Sequence, residues 1–464
     1  MNHEKLSALD RFFEITERKS KISREILAGV STYLSLAYIF IVNPAILKGA
    51  GFNQNSVLFA TVVASGLSTL FMGLYARLPL ALAPGLEMNG FVAFVVIPVL
   101  GLTWQQSLGA VFWSGLLCWV LSVLPVRERI VKSIPEGLKA NMAISVGVFV
   151  MVIGFFLADI LGFKSGKLAT VGSFTSPKAI ALYIGLVVVF LLDWSWLTKP
   201  HETQPGKRVS RFPGGALVPG GFLIAIIAGA LWCRTHGIFE KDPASFSSEM
   251  LGGVGKLEFF GILANPKFWP VFLVLFFIDF YGSIGKFIGL TAATNLRDPD
   301  KGVKNIEKAM QVDGAGTVVG ALVGTTSIIT YVESAVGITA GGRTGLVAVV
   351  CGLLMLASIL FTPIVGLIPV VATSGILVYV GFLLFPRDAW REGRFLAFDA
   401  GVGIIMGLIS FFTFSLDKAM AVGFIFYTIR HFIVVRKGTE TLDWYLIFAT
   451  ICIAASVVLQ YAIV

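Results

Sequence analysis

Three carboxylic acids sit inside stretches that otherwise read as hydrocarbon. They are Glu87 in LPLALAPGLEMN (78–89), Asp279 in LVLFFIDFYGSIGKFIG (273–289) and Glu333 in GTTSIITYVESAVGITAGGR (324–343). An ionisable group in such surroundings is costly unless it faces a cavity or a partner, so each is a functional candidate. A carboxylate accepts hydrogen bonds from ring N–H and amino groups, and one held in a desolvated cavity can also take up and release a proton. That is the minimum equipment for proton-coupled movement of a small polar solute, and the acids alone do not choose among such solutes. Gly282, Ser283 and Lys286 follow Asp279 at i+3, i+4 and i+7, on the same helical side. Lys286 is read first as snorkelling toward the end of its span. Asp159, Asp193 and Asp313 are read as span-end residues with solvated or capping roles.

The elements that position these acids are unusual. Leu78–Asn89 and Gly324–Arg343 are too polar and too interrupted for lipid-facing helices. Their freed backbone groups would be unsatisfied in hydrocarbon, so the two segments are expected to meet inside the protein. Thr330–Val332 favours a short extended stretch, followed by a helix that starts near Glu333 or Ser334. A half-helix start there would offer free N–H donors to a polar ligand.

Around these segments, 56% of the 464 residues are hydrophobic and 14% charged, and the mean hydropathy is +0.85. Spread over the whole length, this excludes a soluble enzyme on a single anchor and a β-barrel, leaving an all-α polytopic membrane protein. Spans of about 20 apolar residues fall near 25–47, 56–76, 78–101, 105–126, 138–158, 177–197 and 214–234. After a polar stretch, more fall near 268–293, 305–325, 327–341, 344–365, 367–385, 397–433 and 442–463. The count is about fourteen, with 397–433 open to division into two helices at Ser415–Lys418. The net charge of +9 is distributed as topology signals rather than as a nucleic-acid face. Arg77, Arg127, Arg129, Lys132, Lys199, Lys207, Arg208, Arg211, Arg297, Lys301, Lys304, Lys308, Arg343, Arg387, Arg391 and Arg394 fall in alternate turns. The opposite turns hold only Lys48, Lys164, Lys167, Arg234, Lys241 and Lys256. With the N-terminus cytoplasmic, this satisfies the positive-inside rule.

The arm 1–24 carries six basic residues, with Leu6, Leu9, Phe12 and Phe13 at helical spacing. It reads as an amphipathic helix on the inner membrane face or as a loose basic tail, and not as a cleaved signal. Cys118, Cys233, Cys351 and Cys452 are scattered, and His3, His201, His236 and His431 lie in terminal or loop-flanking positions. No disulfide scaffold, metal or other cofactor is implied. No nucleophile–base pair is spaced for a membrane enzyme. Gly401, Gly403 and Gly407 permit close helix packing, within one chain or in a homodimer.

The two halves resemble each other. AVFWSGLLCWVLSVLP (110–125) answers AVVCGLLMLASILFTP (348–363). Ile134-Pro135 and Gly154-Phe155 answer Ile368-Pro369 and Gly381-Phe382, at offsets of about 227 to 238. Seven spans repeated must be inserted upside down, and inverted repeats with broken midplane helices point to a secondary transporter.

On AYIFIVNPAIL (37–47), RLPLALAPGLEMNGFVAF (77–94), IPEGLK (134–139), FFIDFYGSIG (276–285) and TTSIITYVESAVGITAGGRTGL (325–346), the chain resembles the nucleobase:cation symporter family, also called xanthine/uracil permeases. Within that family the resemblance is to the hypoxanthine/guanine permease branch of AzgA type. It implies fourteen spans in two inverted sevens, with short strands in spans three and ten, and a core beside a gate. The core would comprise 25–126 (spans 1–4) and 267–365 (spans 8–11). The gate would comprise 138–234 (spans 5–7) and 366–464 (spans 12–14), with 235–266 an extracytoplasmic loop. The implied activity is proton-coupled import of purine bases (hypoxanthine, guanine or adenine) across a bacterial inner membrane. Sodium as the coupling ion, another base such as uracil or xanthine, and an anion carrier of the same architecture are the open alternatives. By resemblance, Asp279 contacts the base and takes part in proton coupling, Glu333 bonds the base's ring, and Asn89 recognises the purine. Tyr331 and Val332 offer contacts from the broken strand, and Ser283 is the polar group one turn after Asp279.

The chain departs from that branch within the site. The branch reads D-x-F-D-T in span eight, and here Gly282 replaces the second acid and Ser283 the threonine. Glu87 stands where a small residue is expected, and Lys286 replaces a small polar one. Glu87 is therefore expected to restore the missing carboxylate from the facing span, as a third proton-coupling candidate. Lys286 would pair with an acid or bias the site toward anions.

Overall fold

The computed structural model describes residues 7–124, 135–164, 167–192, 220–239, 247–292, 297–298, 302–303, 305–385, 397–436 and 442–463. Asp193, His201, Lys241 and the turn cations Arg127, Arg129, Lys132, Lys199, Lys207, Arg208, Arg211, Lys301, Lys304, Arg387, Arg391 and Arg394 lie outside the described residues.

The first half runs α1 (Ala8–Phe13), α2 (Ile22–Leu36), α3 (Ile39–Lys48), α4 (Gln54–Phe71), β1 (Leu82–Pro84), α5 (Leu86–Phe91), α6 (Trp104–Val123), α7 (Glu136–Leu157), the hairpin β2 (Leu161–Lys164) and β3 (Lys167–Val171), α8 (Pro177–Leu192) and α9 (Gly221–Thr235). The second half runs α10 (Phe268–Ala292), the short pair β4 (Arg297–Asp298) and β5 (Gly302–Val303), α11 (Ile306–Val323), β6 (Ile328–Thr330), α12 (Ser334–Thr339), α13 (Gly345–Ala357), α14 (Thr362–Gly366), α15 (Ser374–Leu383), α16 (Ala397–Thr413), α17 (Leu416–Arg436) and α18 (Trp444–Ile463).

Long apolar runs become helices because, in lipid, the backbone must bond to itself. Their ends carry sequence devices. Thr103 and Gln106 close a capping box at the start of α6, and Pro135 opens α7. The matching Pro369 opens the 3-10 turn that leads into α15. Ile134 lies outside the described residues, and the two prolines of the repeat each precede a helical element.

The helices sort into two packed groups. In one, α6 packs on α10 and α11, α4 on α11 and α13, and α2 on α12 and α13, so the two halves interlock. In the other, α7 packs on α15, α16 and α17, and α8 packs on α9 and α15. Crossings between halves are made close by glycine. A Cβ on Gly381 would lie 2.4 Å from the Gly147 carbonyl oxygen, and one on Gly352 would lie 2.8 Å from that of Gly66. Gly403 and Gly407 likewise face Asn141 and Ile144 of α7, whereas Gly401 has open space. Two of those three glycines therefore serve packing within the chain.

Residues 397–433 are two helices. Phe414 turns the chain with φ of +46°, and its ring is held 4.4 to 5.1 Å from those of Phe94, Phe149 and Phe163. The Ser415 hydroxyl donates to the Asp417 carboxylate at the start of α17. An aromatic clamp and a local cap thus set a break that hydropathy leaves open.

From Ser7 onward the N-terminal arm packs on the protein through Phe13 and Ile15, while Leu9 and Phe12 stay exposed. Helix α1 is six residues long and stops at Glu14, which adopts a left-handed conformation. The Thr16 hydroxyl and amide, donating to Asp10, hold that carboxyl below the usual carboxylate range. Phe13 and Ile15 are buried against Leu346, and the Arg18 guanidinium donates to the carbonyls of Arg77 and Arg343. The arm is therefore fastened to the ends of spans two and ten.

Nearby, buried Glu25 accepts from the amides of Arg343 (2.9 Å) and Thr344 (3.0 Å) and from the Thr344 hydroxyl (2.8 Å), capping α13. Substituting Glu25→Ala removes a charged acceptor from three donors. It is expected to cost about 2 kcal/mol or more, seen as a lower thermal midpoint of the detergent-solubilised protein, with Glu25→Gln intermediate.

Candidate functional site

The site is built on the two broken segments, which meet as expected. Strands β1 and β6 pair antiparallel, Leu82 with Thr330, Ala83 with Ile329 and Pro84 with Ile328. The Tyr331 amide donating to Ala81 O (3.0 Å) and the Gly85 amide donating to Ser327 O (2.9 Å) extend the ribbon at both ends. The extended stretch is Ile328–Thr330, two residues earlier than Thr330–Val332, because the unbroken β-branched run lies there. Helix α12 starts at Ser334, as expected.

A two-stranded ribbon has two open edges, and here side chains close them. On the β1 edge, the Thr69 hydroxyl of α4 accepts from Leu82 N (2.9 Å) and donates to Leu82 O (3.1 Å). On the β6 edge, Asp313 Oδ1 of α11 accepts from the Thr330 amide (2.8 Å) and hydroxyl (3.0 Å). The other Asp313 oxygen accepts from the Ser283 hydroxyl of α10. Asp313 is not a solvated span-end residue: it lies mid-helix, 4% exposed, and pins β6 to two helices. Asp159 matches its reading, paired with Lys178 at the surface.

The three sequence-picked acids converge on this ribbon, each 4% exposed or less. Glu333 ends the β6 segment as the residue before α12. Its Oε1 accepts from the Tyr38 hydroxyl (2.7 Å), while Oε2 has no hydrogen-bond partner among the described residues. Asp279, midway along α10, has no partner at hydrogen-bond geometry for either oxygen among the described residues, and the Thr317 hydroxyl and the Cys118 thiol stand beside it. Glu87, in the first turn of α5, is 2.8 Å from the ammonium of Lys286. A Cβ built on Gly282 would lie in ordinary contact with Glu87 Oε1, at 3.6 Å, so Gly282 is the neighbour of the Glu87 carboxylate. Two departures from the branch pattern, Glu87 and Lys286, therefore pair with each other across the site, with a third, Gly282, beside them.

The other candidates are placed as follows. Asn89 is fully buried, its Nδ2 donating to Asn43 Oδ1 and its Oδ1 accepting from the Thr326 hydroxyl. Asn43 in turn donates to Thr61 (2.7 Å) and Thr325 (2.9 Å). Asn89 is thus the hub of a network that ties spans one, two, three and ten. The Tyr331 hydroxyl donates to Pro84 O, and its ring centroid is 5.9 Å from Lys286 Nζ. Val332 is half-buried, and its carbonyl accepts from Ala335 N (3.0 Å). Ser283 is directed to Asp313. Tyr38, Asn43, Thr69 and Asp313 were not picked out from sequence. A usable signal existed for Asn43, a lone amide before Pro44 in an apolar run, and for Asp313, an acid inside a span.

Comparison with known proteins agrees with this geometry. The Xan_ur_permease model, described as "Permease family", matches residues 23–414. The chain is similar to the guanine/hypoxanthine permease PbuO of Bacillus subtilis (strain 168), at 32% identity over 90% of this chain and 93% of that protein. It is also similar to the adenine permease AdeP of Escherichia coli (strain K12), at 30% identity over 91% and 90%. Among solved structures, the transmembrane domain of a cyanobacterial bicarbonate transporter, BicA, superposes with a TM-score of 0.61 at 14% identity. The superposition covers 87% of this chain and 97% of that one. At that identity the likeness is one of fold, two inverted seven-span repeats arranged as core and gate.

The Glu87–Lys286 pair generates a prediction. Both side chains are largely buried, so removing one partner strands a charge at a cost of about 3 kcal/mol or more, whereas removing both does not. Glu87→Gln and Lys286→Met are each expected to lower the thermal midpoint of the purified protein, and the double variant to recover most of the loss.

Proposed function

The chain belongs to this permease family, and from that membership we propose that it is a secondary active transporter that imports purine nucleobases by proton symport with alternating access. The observation that carries the reading is the set of buried carboxylate oxygens on Asp279 and Glu333 with no hydrogen-bond partner among the described residues, gathered at the crossing of two broken spans. Such acceptors match the ring N–H and amino donors of a purine, and each can also hold a proton. Relatives named as guanine/hypoxanthine and adenine permeases cover nearly the whole chain at similar identity, which supports purines as the cargo class.

In this reading Asp279 and Glu333 bind the base and carry the coupling proton. Glu87, the third candidate for that proton, pairs with Lys286, and Asn89 ties spans three and ten through Asn43 and Thr326. Tyr331 and Val332 shape the floor of the site, and Ser283 holds Asp313. The core, 25–126 with 267–365, would move against the gate, 138–234 with 366–464, in an inner membrane with the N-terminus inside. An anion carrier of the same fold is disfavoured, because the one cation that the described residues place among these acids is already matched by Glu87.

The test is uptake of radiolabelled hypoxanthine in cells lacking their own nucleobase carriers. Saturable uptake competed by other purines and abolished by a protonophore is expected. Asp279→Asn and Glu333→Gln are each expected to reduce it roughly tenfold or more at equal membrane levels. Uptake that survives the protonophore and follows an imposed sodium gradient would replace the proton by sodium.

A further inference from the structure

The relatives divide between bases carrying a carbonyl at position 6 and one carrying an amino group there, and this chain's own departures bear on the choice. Lys286 is the one cationic side chain that the described residues set among the site's acids. It contacts Glu87 and lies within Coulombic reach of Asp279, Asp313 and Glu333. An ammonium has three N–H donors, and one is taken by Glu87 at 2.8 Å. Several neighbouring side-chain donors are committed to protein acceptors: the Tyr38 hydroxyl to Glu333, the Tyr331 hydroxyl to Pro84 O, the Ser283 hydroxyl to Asp313 and one N–H of the Asn89 amide to Asn43. The second Asn89 N–H and the Ser327 hydroxyl are neutral donors, and among these groups the ammonium is the charged donor, with two hydrogens to spare.

The edges of the two purine types differ where this donor would meet them. A 6-oxopurine presents two adjacent acceptors, O6 and N7, which a lysine or arginine reads. A 6-aminopurine presents an acceptor beside an N–H donor, which a carboxamide reads. In this site the carboxamide, Asn89, has both ends bound within the protein, its Oδ1 by Thr326 and its Nδ2 by Asn43. The ammonium is held beside the Tyr331 ring and aligned by Glu87, whose carboxylate lies next to Gly282. We propose that Lys286 is the specificity-determining residue of the site, reading the O6/N7 edge of a 6-oxopurine and rejecting 6-aminopurines, with Glu87 as its positioning residue. The proposal rests on the purine reading above. The unpartnered oxygens of Asp279 and Glu333 then accept from the ring N–H groups of the same base.

The experiment is competition against labelled hypoxanthine uptake by the full chain in carrier-deficient cells, using guanine, adenine, unsubstituted purine and 7-deazahypoxanthine. Adenine, purine and 7-deazahypoxanthine are each expected to compete on the order of tenfold more weakly than hypoxanthine or guanine. Lys286→Gln is expected to narrow or reverse the hypoxanthine-to-adenine ratio, and Lys286→Arg to keep it. If the single glutamine variant does not reach the membrane, Glu87→Gln combined with Lys286→Gln removes both charges and is read for the same ratio. Equal competition by adenine and hypoxanthine in the unmodified protein overturns this inference alone. So does a glutamine variant that weakens every purine by one factor with the ratio unchanged. No purine uptake by protein shown to be in the membrane overturns the purine reading and this inference with it.

Discussion

Everything in this protein depends on one constraint: backbone that is not helical, at the depth of a lipid bilayer, must find all its hydrogen bonds inside the protein. Spans three and ten each give up helix for a few residues, and each repairs the other. The ribbon of β1 and β6 has an outer edge on either side, closed by Thr69 from α4 and Asp313 from α11. These helices are the second span of each half. The inverted repeat is thus a way of supplying, twice, a broken strand together with the neighbouring helix that seals its edge.

Once the ribbon is fixed, the half-helices α5 and α12 begin just beyond it, and the acids Glu87 and Glu333 fall at their starts. Asp279 comes from α10, whose Ser283 is bound to the same Asp313 that holds β6. One buried carboxylate therefore sets the spacing between the strand that carries Glu333 and the helix that carries Asp279. Asp313 belongs to the scaffold of the site, although its chemistry is that of the ligand-facing acids. The difference lies in partners: Asp313 accepts from three donors, whereas Asp279 accepts from none among the described residues.

That distinction marks what the sequence could and could not disclose. An acid in an apolar run is visible in one dimension, as are Gly- and Pro-interrupted segments and the two Ile-Pro pairs that open equivalent helices. The convergence of Glu87, Asp279 and Glu333 and the meeting of spans three and ten were therefore legible. Partnership is a property of three dimensions. Nothing in the spacing of residues 283, 313 and 330 says that one hydroxyl and one strand share a carboxylate. Likewise, Asn89 and Asn43 join through contacts between spans, which a motif records as two separate amides. The break after Thr413 was left open in the sequence for a related reason: three phenylalanines from distant elements hold it at Phe414. The N-terminal arm showed an apolar periodicity that suits lipid or protein equally, and the structure packs Phe13 at Leu346 while leaving Leu9 and Phe12 exposed.

The departures at 87, 282 and 286 are best understood as one change. An acid on α10 at 282 would stand against Glu87, two carboxylates in a space with one cation nearby. With glycine at 282 the acid is supplied from the facing half-helix. Lys286, one turn beyond Gly282, pairs with that acid at 2.8 Å. In a low-dielectric interior an unmatched charge is far costlier than a matched pair, so Glu87 and Lys286 each depend on the other. The pair also stitches α5 to α10 across the site, adding a lateral tie to the vertical ones made by the ribbon. Charge matching and mechanical tie are thus the same contact, made once between α5 and α10.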